Sequence, residues 1–464
     1  MPSWLVLATI FTFWLPGAPG DILGTAADTQ GLPKLEFPGT SDALDPFFKS
    51  LRELDKGVAE KVRVAHFGDS HIAADIFTGR MRDRMQMRFG DGGRGFLLPG
   101  RPWSGYRPDN ASTGHTGRWS FSNALYARTK RTEHIGKGIF GLGGFAACTE
   151  EPDASLFVEL ARSGEILLGE VYAAAGTEGT ATGTEGGRFC IETPRRAAEC
   201  FDTRGGRAAL GVYPFRLDPL EDKRVSIVQK SGENCFLGVS VEDDAPGVVY
   251  DSLGINGARL STLGNLTSPY FEEILVHRKY NLVILSYGTN ETVGRSFDAA
   301  GYLKKGDEVL GHLLDYLPGG ACLLVGPPLF STPRSKGVVP SPHIHKAIEV
   351  QKELAARHNC AYFDTYAWMG GDDALQRWVD APGEMLDAFR RNYHLKLDVD
   401  LVERAAKAGF SLISRDHVHY RRDGYYLLAD LLFEVLMRHY EGYLHRVSQG
   451  SAQQTNLLPR LSRR

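Results

Sequence analysis

Short apolar runs followed by amphipathic stretches recur five times in this chain, and that alternation restricts its fold more than any other feature. Residues 62–67 (VRVAHF) lead into helical spacing over 74–89, and 247–250 precede a helix at about 268–278. Residues 282–287 (LVILSY) precede one at about 299–316, 322–326 (CLLVG) one at about 343–357, and 361–364 stand before a closing helix at about 424–440. Strand followed by helix, repeated, predicts parallel pairing in a three-layer α/β sheet. In such sheets reactive groups gather on the loops at the C-terminal ends of the strands.

Between roughly 100 and 245 the texture changes. Runs such as SLFVELA, EILLGEVYAAA, RFCIET, ALGVYPF and RVSIVQK are separated by Gly, Asp, Glu and Thr clusters, a spacing of turn signals that predicts an all-β sandwich. The expected organisation is therefore an α/β domain in two pieces, 55–98 and 246–446, with an inserted β domain over 99–245. A length of 464 residues suits two domains, since single cores seldom grow past about 250–300 residues. The segment GTEGTATGTEGG (176–187) is of low complexity and is expected to be a mobile loop. Residues 447–464 are polar and Arg-rich and are expected to form a disordered tail.

Residues 4–16 (WLVLATIFTFWLP), followed by small residues, have the length of a signal-peptide core and are too short for a comfortable membrane span. Only the α-amino group supplies positive charge ahead of them. Residues 1–27 are thus expected to be a signal peptide or an N-terminal anchor, and the protein to be exported. The 53 basic and 56 acidic residues give a net charge of −3, so no basic excess points to nucleic acid and no acidic excess to disorder. Partner type must come from a site. Six cysteines fit export. Cys190 and Cys200 bracket a short polar segment as a hairpin disulfide would, whereas Cys322 and Cys360 open apolar runs and read as buried thiols. No cysteine or histidine cluster has zinc spacing, and no organic cofactor motif occurs.

Four short blocks carry chemistry. Gly68-Asp69-Ser70-His71 follows the first strand, where a serine hydroxyl would face solvent beside a helix N-terminus. As a bare tetrapeptide it also reads as a plain N-cap. Asp416-His417-Val418-His419 lies just before the closing helix. A serine needs a base to become a nucleophile, and that base needs a carboxylate to fix its tautomer. Asp416 can do this for His419 within one tight loop, and His417 is a competitor one residue from the carboxylate. Gly288-Thr289-Asn290-Glu291 follows the third strand, where an amide aimed at a developing oxyanion is worth about 3–4 kcal/mol. In the fourth block, Gly254-Ile255-Asn256-Gly257-Ala258, a glycine lets backbone N–H approach a substrate oxygen.

These blocks occur in the order Ser, Gly, Asn, Asp-x-x-His, and in that order the chain resembles the SGNH/GDSL hydrolase superfamily. The resemblance implies Ser70 as nucleophile, His419 as base and Asp416 as its orienter. The oxyanion donors would be the Ser70 N–H, Gly257 and Asn290. Two departures are His71 in place of the leucine of GDSL, and Glu291 in place of the commoner aspartate. The stretch GDSHIAADIFTGRMRDRMQMRFGDGGRGFLLPGRPW (68–103) and the position of the insert are also similar to bacterial peptidoglycan O-acetylesterases, which carry a jelly-roll-like domain at this place. This implies an acetyl ester on cell-wall glycan as substrate, a glycan-gripping insert, a periplasmic or cell-envelope location and no cofactor. Two alternatives stay open: an O-acetyltransferase using the same triad, and a non-catalytic glycan binder. Trp103, Tyr106 and Trp119 are candidates for a sugar platform, with core packing the commoner role. Arg94, Arg101 and Arg107 are candidates for steering an anionic glycan, though such residues are more often solvated. His343 and His345 lack evident partners for ligation.

Overall fold

The computed structural model describes residues 34–457 except 127–138, 162–165, 176–185, 205–208, 219–222, 267, 332–338, 381, 394–398, 406 and 408–409. The expected N-terminal signal or anchor, and most of the low-complexity segment, lie outside the described residues.

Five strands form one parallel sheet in the order Gly247–Gly254, Lys61–Gly68, Leu282–Ser286, Ala321–Val325 and Ala361–Phe363. Their apolar runs are buried along nearly their whole length, as a parallel sheet covered by helices requires. Register brings their last residues into line: Gly68 stands opposite Gly254 and Ser286, Ser286 opposite Val325, and Val325 opposite Phe363. Every loop leaving these ends therefore starts from one rim.

The helices begin where the sequence spacing places them: Ile76–Phe89, Pro269–Arg278, Ala299–Asp315 and Ile344–Arg357. Before the first strand, Asp45–Asp55 is also helical and buries Phe47, Phe48, Leu51 and Leu54. The closing helix is longer than expected, running from Arg422 to Leu457. The stretch assigned to a disordered tail thus enters it helical. Leu444 and Val447 still pack on the core, and no proline interrupts the chain before Pro459.

The inserted region consists of two antiparallel sheets. One runs Ala209–Leu217, Leu167–Ala175, Asn234–Asp243, Phe145–Thr149 and Ser120–Asn123, with Gly95–Leu97 added to Asn234–Asp243. The other runs Ala111–Thr116, Ser155–Leu160, Arg224–Gly232, Gly187–Glu192 and Glu199–Asp202. Alternate residues of both sheets, among them Val158, Val171, Phe189, Val225 and Phe236, share one apolar core, the mark of a sandwich. The chain enters and leaves this region side by side. Gly92 N–H donates to Val248 O, Asp243 N–H to Gly92 O and Phe96 N–H to the Asp251 carboxylate. Insertion therefore leaves the parallel sheet continuous.

Buried ion pairs fasten the seam. Asp75 accepts from Arg82 at 2.8 Å and Arg94 at 2.5 Å, and Arg278 bridges Asp251 and Glu242. Arg94 is therefore not the solvated or glycan-steering residue of the sequence reading: its guanidinium is enclosed at the junction, paired by Asp75 and by the Asp109 carbonyl.

All six cysteines are paired. Cys190–Cys200 forms as expected between directly opposed residues, and Cys148–Cys235 does the same across two strands of the other sheet. The reading of Cys322 and Cys360 as buried thiols is corrected: they are bonded to each other. Both precede paired residues of adjacent parallel strands, Leu323 and Ala361, a proximity set by strand register rather than by sequence spacing.

Candidate active site

Asp69 ends the first strand's turn and caps the four-residue helix Ser70–Ala73 by accepting the His71 N–H. This presses the helix onto the neighbouring strand end so closely that a Cβ on Gly254 would lie 2.2 Å from Ala73 N. Ser70 is thereby held at the rim with its N–H in the first turn, where no intrahelical acceptor exists.

The Asp416–His419 loop approaches from the far end of the chain. Ile413 and Tyr420 pair across it, Ser414 N–H donates to His419 O, and Ser331 N–H donates to His417 O. His417 takes a left-handed φ of +57° to close the turn. Asp416 Oδ1 accepts the N–H groups of Val418 and His419 and the Ser414 hydroxyl. Its Oδ2 lies 2.6 Å from His419 Nδ1, and His419 Nε2 lies 2.8 Å from Ser70 Oγ, 349 residues away in the chain. Serine, imidazole and carboxylate thus form one line of hydrogen bonds, and His419 rather than His417 meets the serine. Partial burial pushes the Asp416 carboxyl up, but its bonds from His419, Ser414 and the backbone outweigh this and hold it well below the usual carboxylate range. It stays anionic, so Nδ1 carries the proton and Nε2 can accept one from Ser70.

The other two blocks close the rim. Asn290, in the helical turn Thr289–Thr292, donates through Nδ2 to Ala258 O at 2.9 Å and stands 3.5 Å from Asp69 Oδ2. Its amide thus joins the Gly257–Ala258 turn to the nucleophile turn. Gly257 adopts φ +78° and is exposed, a conformation that a side chain would strain. Glu291, a departure noted in the sequence, has a definite task. Its carboxylate accepts Leu260 N–H at 2.7 Å and Gly288 N–H at 3.1 Å, tying together the two loops that carry Asn290 and Gly257. Burial pushes its pKa up.

Sequence reasoning passed over two buried groups beside the serine. Asp69 is 1% exposed; burial, then the Glu291 charge, raises its pKa to about 7. His71 is buried with Nδ1 3.0 Å from Tyr425 Oη and its ring 5.5 Å from that of His419. Burial, then the neighbouring His419, lowers its pKa to about 3, so it is neutral. The one signal available in the sequence was the departure from leucine at position 71.

The remaining candidates lie elsewhere. Trp103 packs on Phe145 and Tyr106, Tyr106 accepts the Leu98 N–H, and Trp119 packs on Phe236 and donates to Thr116 O. Their aromatic surface is used in packing, as in the commoner role. Arg101 and Arg107 are exposed. His345 meets Asp372 and Tyr366, and His343 precedes the helix Ile344–Arg357. Among the described residues no group of acidic, His or Cys side chains could hold a metal ion, and no helix is long and apolar enough to cross a membrane.

The profile of the GDSL-like Lipase/Acylhydrolase family matches residues 230–425. That span holds Gly257, Asn290, Asp416 and His419 but begins after Ser70, which the insert separates from the rest. No curated protein matches the chain. Among solved structures, one described as a peptidoglycan O-acetylesterase in action is 22% identical, with 88% of this chain and 99% of that chain covered at a TM-score of 0.68. This shows a shared fold. A family two carbohydrate esterase from Cellvibrio japonicus is 10% identical over 72% of this chain and 99% of its own, at a TM-score of 0.26 too low to bear on the argument. Over residues 230–425 the chain is thus similar to the GDSL-like Lipase/Acylhydrolase family, and its fold is shared with the O-acetylesterase structure.

Proposed function

We propose that the protein removes O-acetyl groups from cell-wall glycan, peptidoglycan in the first place, through an acyl-enzyme on Ser70. The observation that carries the chemistry is the unbroken line Asp416–His419–Ser70 at 2.6 and 2.8 Å. His419 Nε2 takes the hydroxyl proton as Ser70 Oγ attacks the ester carbonyl. The Ser70 N–H, the Gly257 N–H and the Asn290 amide are the donors for the oxyanion, each such donor being worth roughly 10²–10³ in rate. Collapse expels the sugar alkoxide, which leaves with the proton from His419. A water molecule deprotonated by the same imidazole then releases acetate.

The substrate assignment is supported by the likeness in fold to a structure described as a peptidoglycan O-acetylesterase, and by the inserted β region, which we read as a jelly-roll-like glycan-gripping domain. Three disulfides among the described residues support an exported protein of the periplasm or cell envelope, since such bonds persist in oxidising compartments. The test is acetate release from O-acetylated peptidoglycan by wild type and Ser70→Ala. Acetate from wild type alone is expected; acetate from both, or from neither, overturns the substrate assignment. Acetyl transfer to added glycan oligomers in place of acetate release would make the protein a transferase.

A further inference from the structure

One turn of the inserted region lies against the loop that carries Gly257. The short helical turn Ala124–Tyr126 follows the strand Ser120–Asn123 and meets the turn Leu260–Asn265, just beyond Gly257. Three hydrogen bonds fix it in place. Ala124 N–H donates to Gly144 O at 2.9 Å, Leu125 N–H donates to the Asn123 side chain at 2.9 Å, and Asn265 Nδ2 donates to Ala124 O at 3.0 Å. The last of these crosses from the α/β domain to the insert. Ala124 is buried in the same apolar core as Ile255, Ala258 and Leu266. A Cβ on Gly144 would lie 2.5 Å from Ile255 Cδ1, so the turn and the Gly257 loop pack without slack.

Leu125 is half-buried on this mount. A Cβ added to Gly257 would lie 3.6 Å from Leu125 Cδ2 and, its own chain neighbours apart, within 4 Å of no other described atom. Space over the turn is otherwise open, and Gly257 itself is exposed. Leu125 thus brings an isobutyl group to a rim whose other candidate groups, Ser70, Asn290 and His419, are polar. Apolar side chains in a ligand site receive the apolar part of the ligand. In an acylated sugar that part is the acyl chain, while the leaving alcohol is rich in hydroxyls.

We infer that Leu125 is a specificity-determining residue, an apolar wall supplied by the insert that keeps the acyl group to the size of acetyl. The inference deepens the proposed function and rests on it: Ser70 must form the acyl-enzyme, and Gly257 must be an oxyanion donor. The carbonyl oxygen then points at the Gly257 N–H, and the acyl carbons start beside the Leu125 methyl groups. A chain that grows from acetyl to butyryl must displace a side chain whose turn is bonded at three points. One methylene more or less in an apolar pocket is worth roughly 10–200-fold in discrimination.

The test uses the full chain and reads kcat/KM on p-nitrophenyl acetate and p-nitrophenyl butyrate, which share one leaving group. Wild type is expected to favour acetate by at least about 10-fold. In Leu125→Ala that preference should shrink about 10-fold, with kcat/KM on butyrate itself rising, a gain that no loss of folded protein can produce. Leu125→Phe should sharpen the preference, and Asn265→Ala, which loosens the mount, should relax it by a smaller factor. Should Leu125→Ala fail to fold, the other two variants decide by the same ratio. With the acyl group kept as acetyl, exchanging p-nitrophenol for an N-acetylglucosamine oligomer should reveal no comparable difference between wild type and Leu125→Ala. A wild-type ratio of acetate to butyrate in the folded, active variants overturns the inference and leaves the proposed function standing. A change confined to the leaving-group comparison overturns it too, since Leu125 would then face the sugar. A wild type that hydrolyses no acyl ester sinks the proposed function, and this inference with it.

Discussion

The parallel sheet and the inserted sandwich solve different problems with the same chain. In the parallel sheet, strand ends converge on one rim, so residues 349 apart come within 2.8 Å. In the sandwich, antiparallel partners face each other directly, and two of those facing pairs are cysteines. One region gathers chemistry from distant loops; the other spends its cross-strand pairs on staples and its aromatics on packing. The contrast teaches that the Asp416–His419–Ser70 line belongs to the sheet whose strand ends share one rim, with the insert held against it by buried ion pairs.

The largest expected effect separates the regions by activity. Ser70→Ala or His419→Ala should lower kcat on p-nitrophenyl acetate by at least about 10⁴-fold without shifting the thermal midpoint, as steady-state kinetics and calorimetry would show. The opposite signature belongs to the seam. Arg94→Ala leaves Asp75 partly unpaired, and removing one partner of a buried pair costs about 3–5 kcal/mol. Denaturant unfolding should register that loss, while the folded fraction keeps its kcat. Equal loss of activity per folded molecule would mean that the seam is part of the reaction machinery. Asn290→Ala should cost roughly 10²–10³ in kcat and little stability, since its side chain makes one short bond, to Ala258 O at 2.9 Å, and one long one, to Asp69 at 3.5 Å. Removing the Cys190–Cys200 disulfide by a double alanine substitution should cost about 2–3 kcal/mol of stability, as for a short closed loop, and leave turnover of a small ester unchanged.

The smallest effect is one of pH, and its sign differs between the regions. Asp69 has its pKa raised to about 7, so between about 4 and 7 the folded protein holds a proton that the unfolded chain releases. Its contribution to stability therefore declines as pH rises through that window. Asp202, on an exposed strand, is lowered to about 2 by Arg204 and contributes the other way, losing its small, screened benefit as pH falls toward 2. Stability measured from pH 4 to 7 should slope downward less in Asp69→Asn than in wild type. An unchanged slope would show that Asp69 is ionised throughout.

Much of the rim was legible in the sequence because its strands are dense apolar runs, and Ser70 and Asn290 are polar exceptions placed just after such runs, whereas Asp416 and His419 could be picked out by their spacing in one tight loop before the closing helix. The strands Ala111–Thr116 and Ser120–Asn123 escaped notice because Ser, Thr, Asn and Gly look like loop; only pairing with neighbours makes them strands. The Cys322–Cys360 bond, the Asp75–Arg94 pair and the bracing by Glu291 depend on register and on loop-to-loop approach, which residue spacing does not encode. His71 stood out only as an oddity, and its burial against Tyr425 and His419 depends on the approach of two distant segments.

The most direct test of the central claim is intact-protein mass spectrometry after treatment with a fluorophosphonate, which reacts with a serine made nucleophilic by an adjacent base. The account predicts a single adduct that maps to Ser70, is absent in Ser70→Ala and forms far more slowly in His419→Ala. Equal labelling in Ser70→Ala, or ester hydrolysis that persists in that variant, would contradict it.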